Sequence, residues 1–243
     1  MSAVLEVEGL TCRFGGLVAV DGLGFAVASG EIVGLVGPNG AGKSTVLDVL
    51  SGILRPDAGS IAFLGKPIAG LAPDRIARLG IGRTFQPARP LASLTCHDNV
   101  LTSLAFGRKR IWGRVARDEA DRLLDRVGLG RALEALPGAL SYIDHKRLEL
   151  ARALALQPEL LLLDEWLAGL TPAELEGGLA LIRSLGEQGI AILLVEHAME
   201  EIHTLCHRCL VMNGGRLIAS GLPAEVLAEP EVVRAYLGEE GDA

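Results

Sequence analysis

The sequence predicts an α/β fold: a mostly parallel sheet with flanking helices, and a helical segment inserted between two of its strands. Three observations carry that expectation. Glu31–Val36, which is almost wholly apolar, and the apolar runs Leu160–Leu163 and Ile190–Val195 are as expected of strands buried on both faces. The first runs straight into a glycine-rich loop and a helical stretch, and another helical stretch separates the second from the third. The long segment Pro87–Gln157 lacks strand signals and reads as helical. Strands alternating with helices imply right-handed crossovers in a parallel sheet.

Taken in order, Val4–Leu10 reads as a strand, Glu31–Val36 as a buried strand, Gly37–Ser44 as a loop and Thr45–Leu50 as a helix. Within Pro87–Gln157, Ala120, Leu123, Leu124 and Val127 have the i, i+3, i+4, i+7 spacing of an amphipathic helix. A helix starts near Pro172, with Thr171 as its cap and Leu175, Leu179, Ile182 and Leu185 on one face. Leu210–Met212 reads as a further strand, and Leu222–Leu237 as two short helices around Pro230.

Composition narrows the function. The chain is 49% hydrophobic and 22% charged, which excludes overall disorder. Its 243 residues bury a core without disulfides or metal. No apolar run approaches the ~20 residues of a membrane-spanning helix. The opening MSAVLEVEGL has neither a basic region nor an apolar one, so no secretory signal is expected. The four cysteines form no disulfide framework. These points together suggest a soluble cytosolic protein. A net charge of −7 argues against a nucleic-acid partner, since such proteins are normally basic.

Gly37-Pro38-Asn39-Gly40-Ala41-Gly42-Lys43-Ser44 fits G-x-x-x-x-G-K-[ST] in full, between a buried strand and a helix that opens with Thr45. Glycines let successive N–H groups turn toward phosphate oxygens, and the helix adds the positive end of its dipole. Lys43 is placed to reach the β- and γ-phosphates of ATP, and Ser44 to ligate Mg²⁺. Asp164 and Glu165 end the strand Leu160–Leu163, at the edge of a parallel sheet where ligands bind. Asp164 is expected to hold Mg²⁺, and Glu165 to polarise the attacking water. His197, after Ile190–Val195, is placed to touch the γ-phosphate or that water. Gln86, in Arg83-Thr-Phe-Gln86, is a further candidate for Mg²⁺ or for sensing the γ-phosphate. Taken singly, each has a bland alternative: a solvated strand end, a structural histidine, a surface glutamine.

The order of these features, with Leu140-Ser141 between Gln86 and Asp164, resembles the ATP-binding subunits of ABC transporters over nearly the whole chain. The resemblance implies a P-loop NTPase core with a small N-terminal antiparallel β part (1–86 and 158–243). It also implies a helical subdomain over 87–157 that carries a signature segment. Phe14 becomes the aromatic that stacks on adenine. Arg13-Phe-Gly-Gly-Leu-Val-Ala-Val-Asp21, Arg83-Thr-Phe-Gln86, Leu167-Ala-Gly-Leu-Thr-Pro-Ala-Glu174 and Val233-Arg-Ala-Tyr-Leu-Gly238 are similar to the ATPases of branched-chain amino acid importers. Such a subunit sandwiches ATP with a second ATPase subunit. It sits at the cytoplasmic face of the inner or cell membrane, on two membrane permease subunits, and acts with a periplasmic or extracellular substrate-binding protein. Nothing in an ATP site encodes the transported substrate.

The signature departs from the family. It is normally Leu-Ser-Gly-Gly-Gln, or Leu-Ser-Tyr-Gly-Gln in the importer group, and it meets the γ-phosphate held by the partner subunit. Here it is Leu140-Ser141-Tyr142-Ile143-Asp144. Ile143 is expected to add bulk and to resist a positive φ, weakening the composite site built with this signature. The bland alternative is a slight backbone shift that leaves activity intact; with a weakened site, the expectation is a heterodimer with one competent and one weak site. An ATP-binding regulatory subunit with weak hydrolysis is the alternative, which single-turnover hydrolysis discriminates. Soluble ABC ATPases outside transport carry two ATPase halves or coiled-coil inserts, and this chain has neither. Trp166 replaces the family's proline after Glu165 and is expected to fill space at the dimer interface. Cys206-His207-Arg208-Cys209 has the look of a metal motif but lacks further ligands, so buried thiols are the simpler reading. Arg108, Lys109, Arg110, Arg114 and Arg117 read as a solvated helical face, with contact to lipid or membrane subunits as the alternative.

Overall fold

A computed structural model describes residues 3–237. The chain opens with β1 (Ala3–Phe14) and β2 (Leu17–Ala28), followed by β3 (Ile32–Val36), α1 (Lys43–Leu50), β4 (Ala58–Phe63) and β5 (Lys66–Pro67). Then come α2 (Pro73–Leu79), β6 (Ile81–Arg83), α3 (Cys96–Phe106), α4 (Gly113–Arg126) and α5 (Tyr142–Ala155). The last part holds β7 (Leu160–Asp164), α6 (Pro172–Glu187), β8 (Ala191–Val195), α7 (Met199–Leu205), β9 (Arg208–Asn213), β10 (Arg216–Gly221), α8 (Pro223–Val226) and α9 (Pro230–Leu237).

The strands form two sheets: an antiparallel one in the order β2-β1-β4-β5, and a six-stranded one in the order β10-β9-β3-β8-β7-β6. In the larger sheet every neighbouring pair is parallel except β9 with β10. Its central strands are apolar throughout because both faces are covered. Val33, Leu35, Leu160, Leu162, Leu193 and Leu210 pack with Leu5, Leu23 and Phe63 of the antiparallel sheet. Ile32, Val36, Leu161, Leu163, Ile192 and Leu194 face the other way, toward a core shared with α3, α4, α5 and α6. Full burial of each such side chain contributes roughly 1.5–3 kcal/mol.

Two local features move strand ends from where the sequence places them, and a third fixes the expected start of a helix. β1 runs past Leu10 to Phe14 through a bulge at Glu8-Gly9, where Gly9 takes φ 58°. β3 begins after Glu31, because that carboxylate turns back to accept from the Ala28 N–H at 2.8 Å and pairs with Arg208 at 3.0 Å. Thr171 and Glu174 close α6 with a reciprocal capping box. No helix among the described residues is long and apolar enough to cross a membrane.

Candidate active site

Because β3, β8, β7 and β6 are consecutive parallel neighbours, the loops after them emerge side by side along one edge of the sheet. Gly37–Gly42 follows β3, Glu196 and His197 follow β8, Asp164 and Glu165 close β7, and Gln86 follows β6. The fold thus brings together residues more than a hundred positions apart.

The loop after β3 is tightly wedged. A Cβ on Gly37, at φ 147°, would lie 2.1 Å from the Met212 carbonyl oxygen. One on Gly42, at φ 102°, would lie 2.3 Å from that of Ala19. Only glycine fits either position. The buried Lys43 ammonium donates to the carbonyls of Gly37 at 2.5 Å and Pro38 at 2.8 Å, which curls the loop around its own cation. Asn39–Thr45, Phe14, Glu165 and His197 line a cavity of about 440 Å³. Phe14 is half exposed at its mouth.

His197 Nε2 lies 2.7 Å from Glu165 Oε1. Burial alone would raise the Glu165 carboxyl. Hydrogen bonds from His197 and Gln86, with the charge of Lys43 behind them, hold it below the usual carboxylate range instead. Glu165 itself has φ 47°, a left-handed conformation uncommon outside glycine. Gln86 and Asp164 line a neighbouring cavity of about 500 Å³ that shares Glu165.

Several supports escaped the sequence reading. Arg83 at the end of β6 donates to Asp48 and to Ser51 Oγ, both at 2.7 Å, and to Asp164 at 3.2 Å. Burial raises the Asp164 carboxyl, and Arg83 opposes that rise. The buried Glu149 accepts from the N–H groups of Phe85 and Arg89, pinning both ends of the segment that carries Gln86. The buried Lys146 donates to the carbonyls of Glu165, Trp166 and Ala168. A charged residue on a helix gives no local sign that it will be enclosed.

Trp166 corrects an expectation. It does not project outward to fill an interface. It is 2% exposed within the chain's own core, and its indole N–H donates to the Lys146 carbonyl at 3.0 Å. The ring occupies space left by Gly178, where a Cβ would lie 3.1 Å from it. A large apolar ring whose one donor finds a partner is more stable buried than wet.

The signature residues stand apart from the cavity of the phosphate loop. Ser141 is the N-cap of α5, Tyr142 is half exposed over the second cavity, and Ile143 and Asp144 lie in the first helical turn. Ile143 has no positive φ and is buried, with 8% of its surface exposed. The backbone strain expected of it is absent because this position is ordinary helix.

Glu196 accepts from the Leu167 N–H at 2.6 Å and so ties the loop after Glu165 to the segment before His197. Burial pushes its carboxyl up to about 8. Between the ordinary value and about 8 the folded chain keeps a proton that the unfolded chain releases. Stability from this group is therefore lost as pH rises through that window, by about 1.4 kcal/mol per pH unit at most. Glu196→Gln is expected to flatten the fall in Tm between pH 6 and pH 8. An unchanged Tm profile would contradict this account of Glu196.

The residues of the weaker signals have the following surroundings. Cys206 and Cys209 are buried, and burial pushes their thiols up to about 12 and about 11. His207 Nδ1 accepts from the Ile32 N–H, and no metal-holding cluster occurs among the described residues. In the basic cluster, Arg108 pairs with Glu159 and Arg114 with Asp118.

A phosphate loop heading a parallel sheet, with a glutamate–histidine pair across the cavity, defines a nucleotide-hydrolysing enzyme. The ABC transporter family model matches residues 20–168, and the chain belongs to that family as one of its ATPases. A model described as branched-chain amino acid ATP-binding cassette transporter matches residues 216–242; the end of that match, including Gly238, lies outside the described residues. The chain is 38% identical to the high-affinity branched-chain amino acid transport ATP-binding protein BraF of Pseudomonas aeruginosa, over 97% of this chain and 98% of that one. It is 39% identical to LivG of Escherichia coli K12, a protein described in the same words, with the same coverage of each chain. The ADP conformation of MJ1267, an ATP-binding cassette of an ABC transporter, superimposes with a TM-score of 0.88 at 30% identity, covering 98% of this chain and all of that one.

Proposed function

We propose that this chain hydrolyses ATP to power an importer of branched-chain or related amino acids. The observation that carries the reading is the single cavity lined by Phe14, the phosphate loop, Glu165 and His197. Phe14 stacks on adenine, and the N–H groups of Gly37, Asn39, Gly40, Ala41, Gly42 and Thr45 with the Lys43 ammonium hold the phosphates, while Pro38, which has no N–H, shapes the loop and offers its carbonyl to Lys43. The hard oxygen donors of Ser44, Gln86 and Asp164 suit Mg²⁺, and a carboxylate strained by burial gains from a cation beside it. Mg²⁺ bound there neutralises phosphate charge.

Glu165 acts as the base. Held below the usual range, it is ionised at neutral pH and accepts a proton from the attacking water. The water oxygen bonds to the γ-phosphorus as the bond to the β-phosphate oxygen breaks, releasing ADP and phosphate. The 2.7 Å bond from His197 fixes the carboxylate and brings the imidazole to the γ-phosphate. Two such subunits close around ATP, and reopening after hydrolysis moves the permease.

In this reading the chain sits at the cytoplasmic face of the inner or cell membrane. Its partners are two membrane permease subunits, a second ATPase subunit with an intact signature, and a periplasmic or extracellular substrate-binding protein. Purifying the tagged chain from native membranes and identifying its companions by mass spectrometry tests this. Two permease chains and a second ATPase are expected. Recovery without any membrane protein would overturn the transport reading in favour of a regulatory one.

A further inference from the structure

Asp144 stands where the importer family has glutamine, and the structure shows what it does there. The start of α5 offers an anion a hydroxyl, first-turn N–H groups and the positive end of a helix dipole. Here a carboxylate of the same helix already takes the hydroxyl. Ser141 Oγ donates its one proton to Asp144 Oδ2 at 2.8 Å, and the Asp144 N–H donates back to Ser141 Oγ at 3.3 Å. Arg147 pairs with Asp144 Oδ1 at 3.1 Å and neutralises one charge. Glu174, from the cap of α6, lies close enough to feel both groups, so two acids face one arginine. His145 Nδ1 is engaged at the Ser141 carbonyl.

We infer that Asp144 closes this signature segment to the γ-phosphate, so that a composite ATP site built on it assembles poorly. An arriving γ-phosphate would have to break the Ser141–Asp144 bond and then lie beside a fixed carboxylate. Ile143 is not the obstacle, since it lies in ordinary helix and is buried. The inference rests on the reading that ATP is sandwiched between two subunits. It also explains why an intact signature must come from the partner, while this chain's own phosphate loop, Glu165 and His197 stay equipped for hydrolysis.

The test compares Glu165→Gln with Glu165→Gln/Asp144→Gln, both as full-length chains at saturating MgATP. Analytical ultracentrifugation reads self-association, and a fluorescent ATP analogue separately reads nucleotide binding. Both variants are expected to bind the analogue, and only the double variant to dimerise, with a dimer Kd at least tenfold lower. Asp144→Asn in place of Asp144→Gln removes the charge while keeping the shape of the cap, and the same shift is expected. Equal dimerisation of the two variants, weaker dimerisation after substitution, or analogue binding with no dimer in either would overturn the role of Asp144. Failure of both to bind the analogue would instead bring down the ATP-binding reading, and the inference with it.

Discussion

Replacing Glu165 with glutamine is expected to leave ATP bound and to lower turnover by roughly 10²–10⁴-fold. Glutamine keeps the shape and the capacity to bond His197 and Gln86, but it does not accept a proton from water. The pairing argues for a base rather than a structural acid. Burial alone would raise this carboxyl, and only its two hydrogen-bonding neighbours and Lys43 bring it below the usual range. A group held ionised against its burial, across a cavity from a phosphate loop, is disposed for catalysis. Phosphate release and retention of γ-labelled ATP, measured on the complex isolated through this chain, check the prediction. Turnover at the wild-type rate would remove Glu165 from the role.

Trp166→Ala is expected to cost about 3–5 kcal/mol of stability. The ring is 2% exposed, packs against Leu167 and Gly178, and anchors the Lys146 carbonyl. Lys146 in turn donates to three carbonyls of the loop carrying Glu165. That loop begins with a residue at φ 47°, a conformation that persists only when its surroundings determine it. Truncation should therefore lower Tm and also loosen the Glu165–His197 pair. Chemical denaturation and ATPase assays on one preparation separate the two effects. A loss below about 1 kcal/mol would contradict the packing described.

The site was legible where chemistry demands a fixed local spacing. Gly37–Ser44 announces itself because phosphate binding needs glycine at positions where a side chain would strike Ala19 or Met212. The buried strands were legible because burial on two faces removes polar residues from them. β2 lies outside the strands expected from the sequence, although Gly15-Gly16, a two-residue hairpin loop pairing Phe14 with Leu17, signals it there. Arg83, Lys146, Glu149 and Glu196 were beyond its reach. Each is a charged residue whose importance comes from partners at least nineteen positions away, apart from Lys146's own helix. The inward turn of Trp166 likewise depends on space left by Gly178 and on an acceptor in α5.

Transport is the activity that this chain's ATP site is proposed to power. The complex isolated through this chain would be placed in liposomes with MgATP on the ATPase side and the substrate-binding protein on the other. Uptake of radiolabelled leucine, isoleucine, valine and alanine would then be followed. The account predicts ATP-dependent accumulation of at least one of them, abolished by Glu165→Gln. Accumulation of none, or accumulation that survives Glu165→Gln, would contradict it.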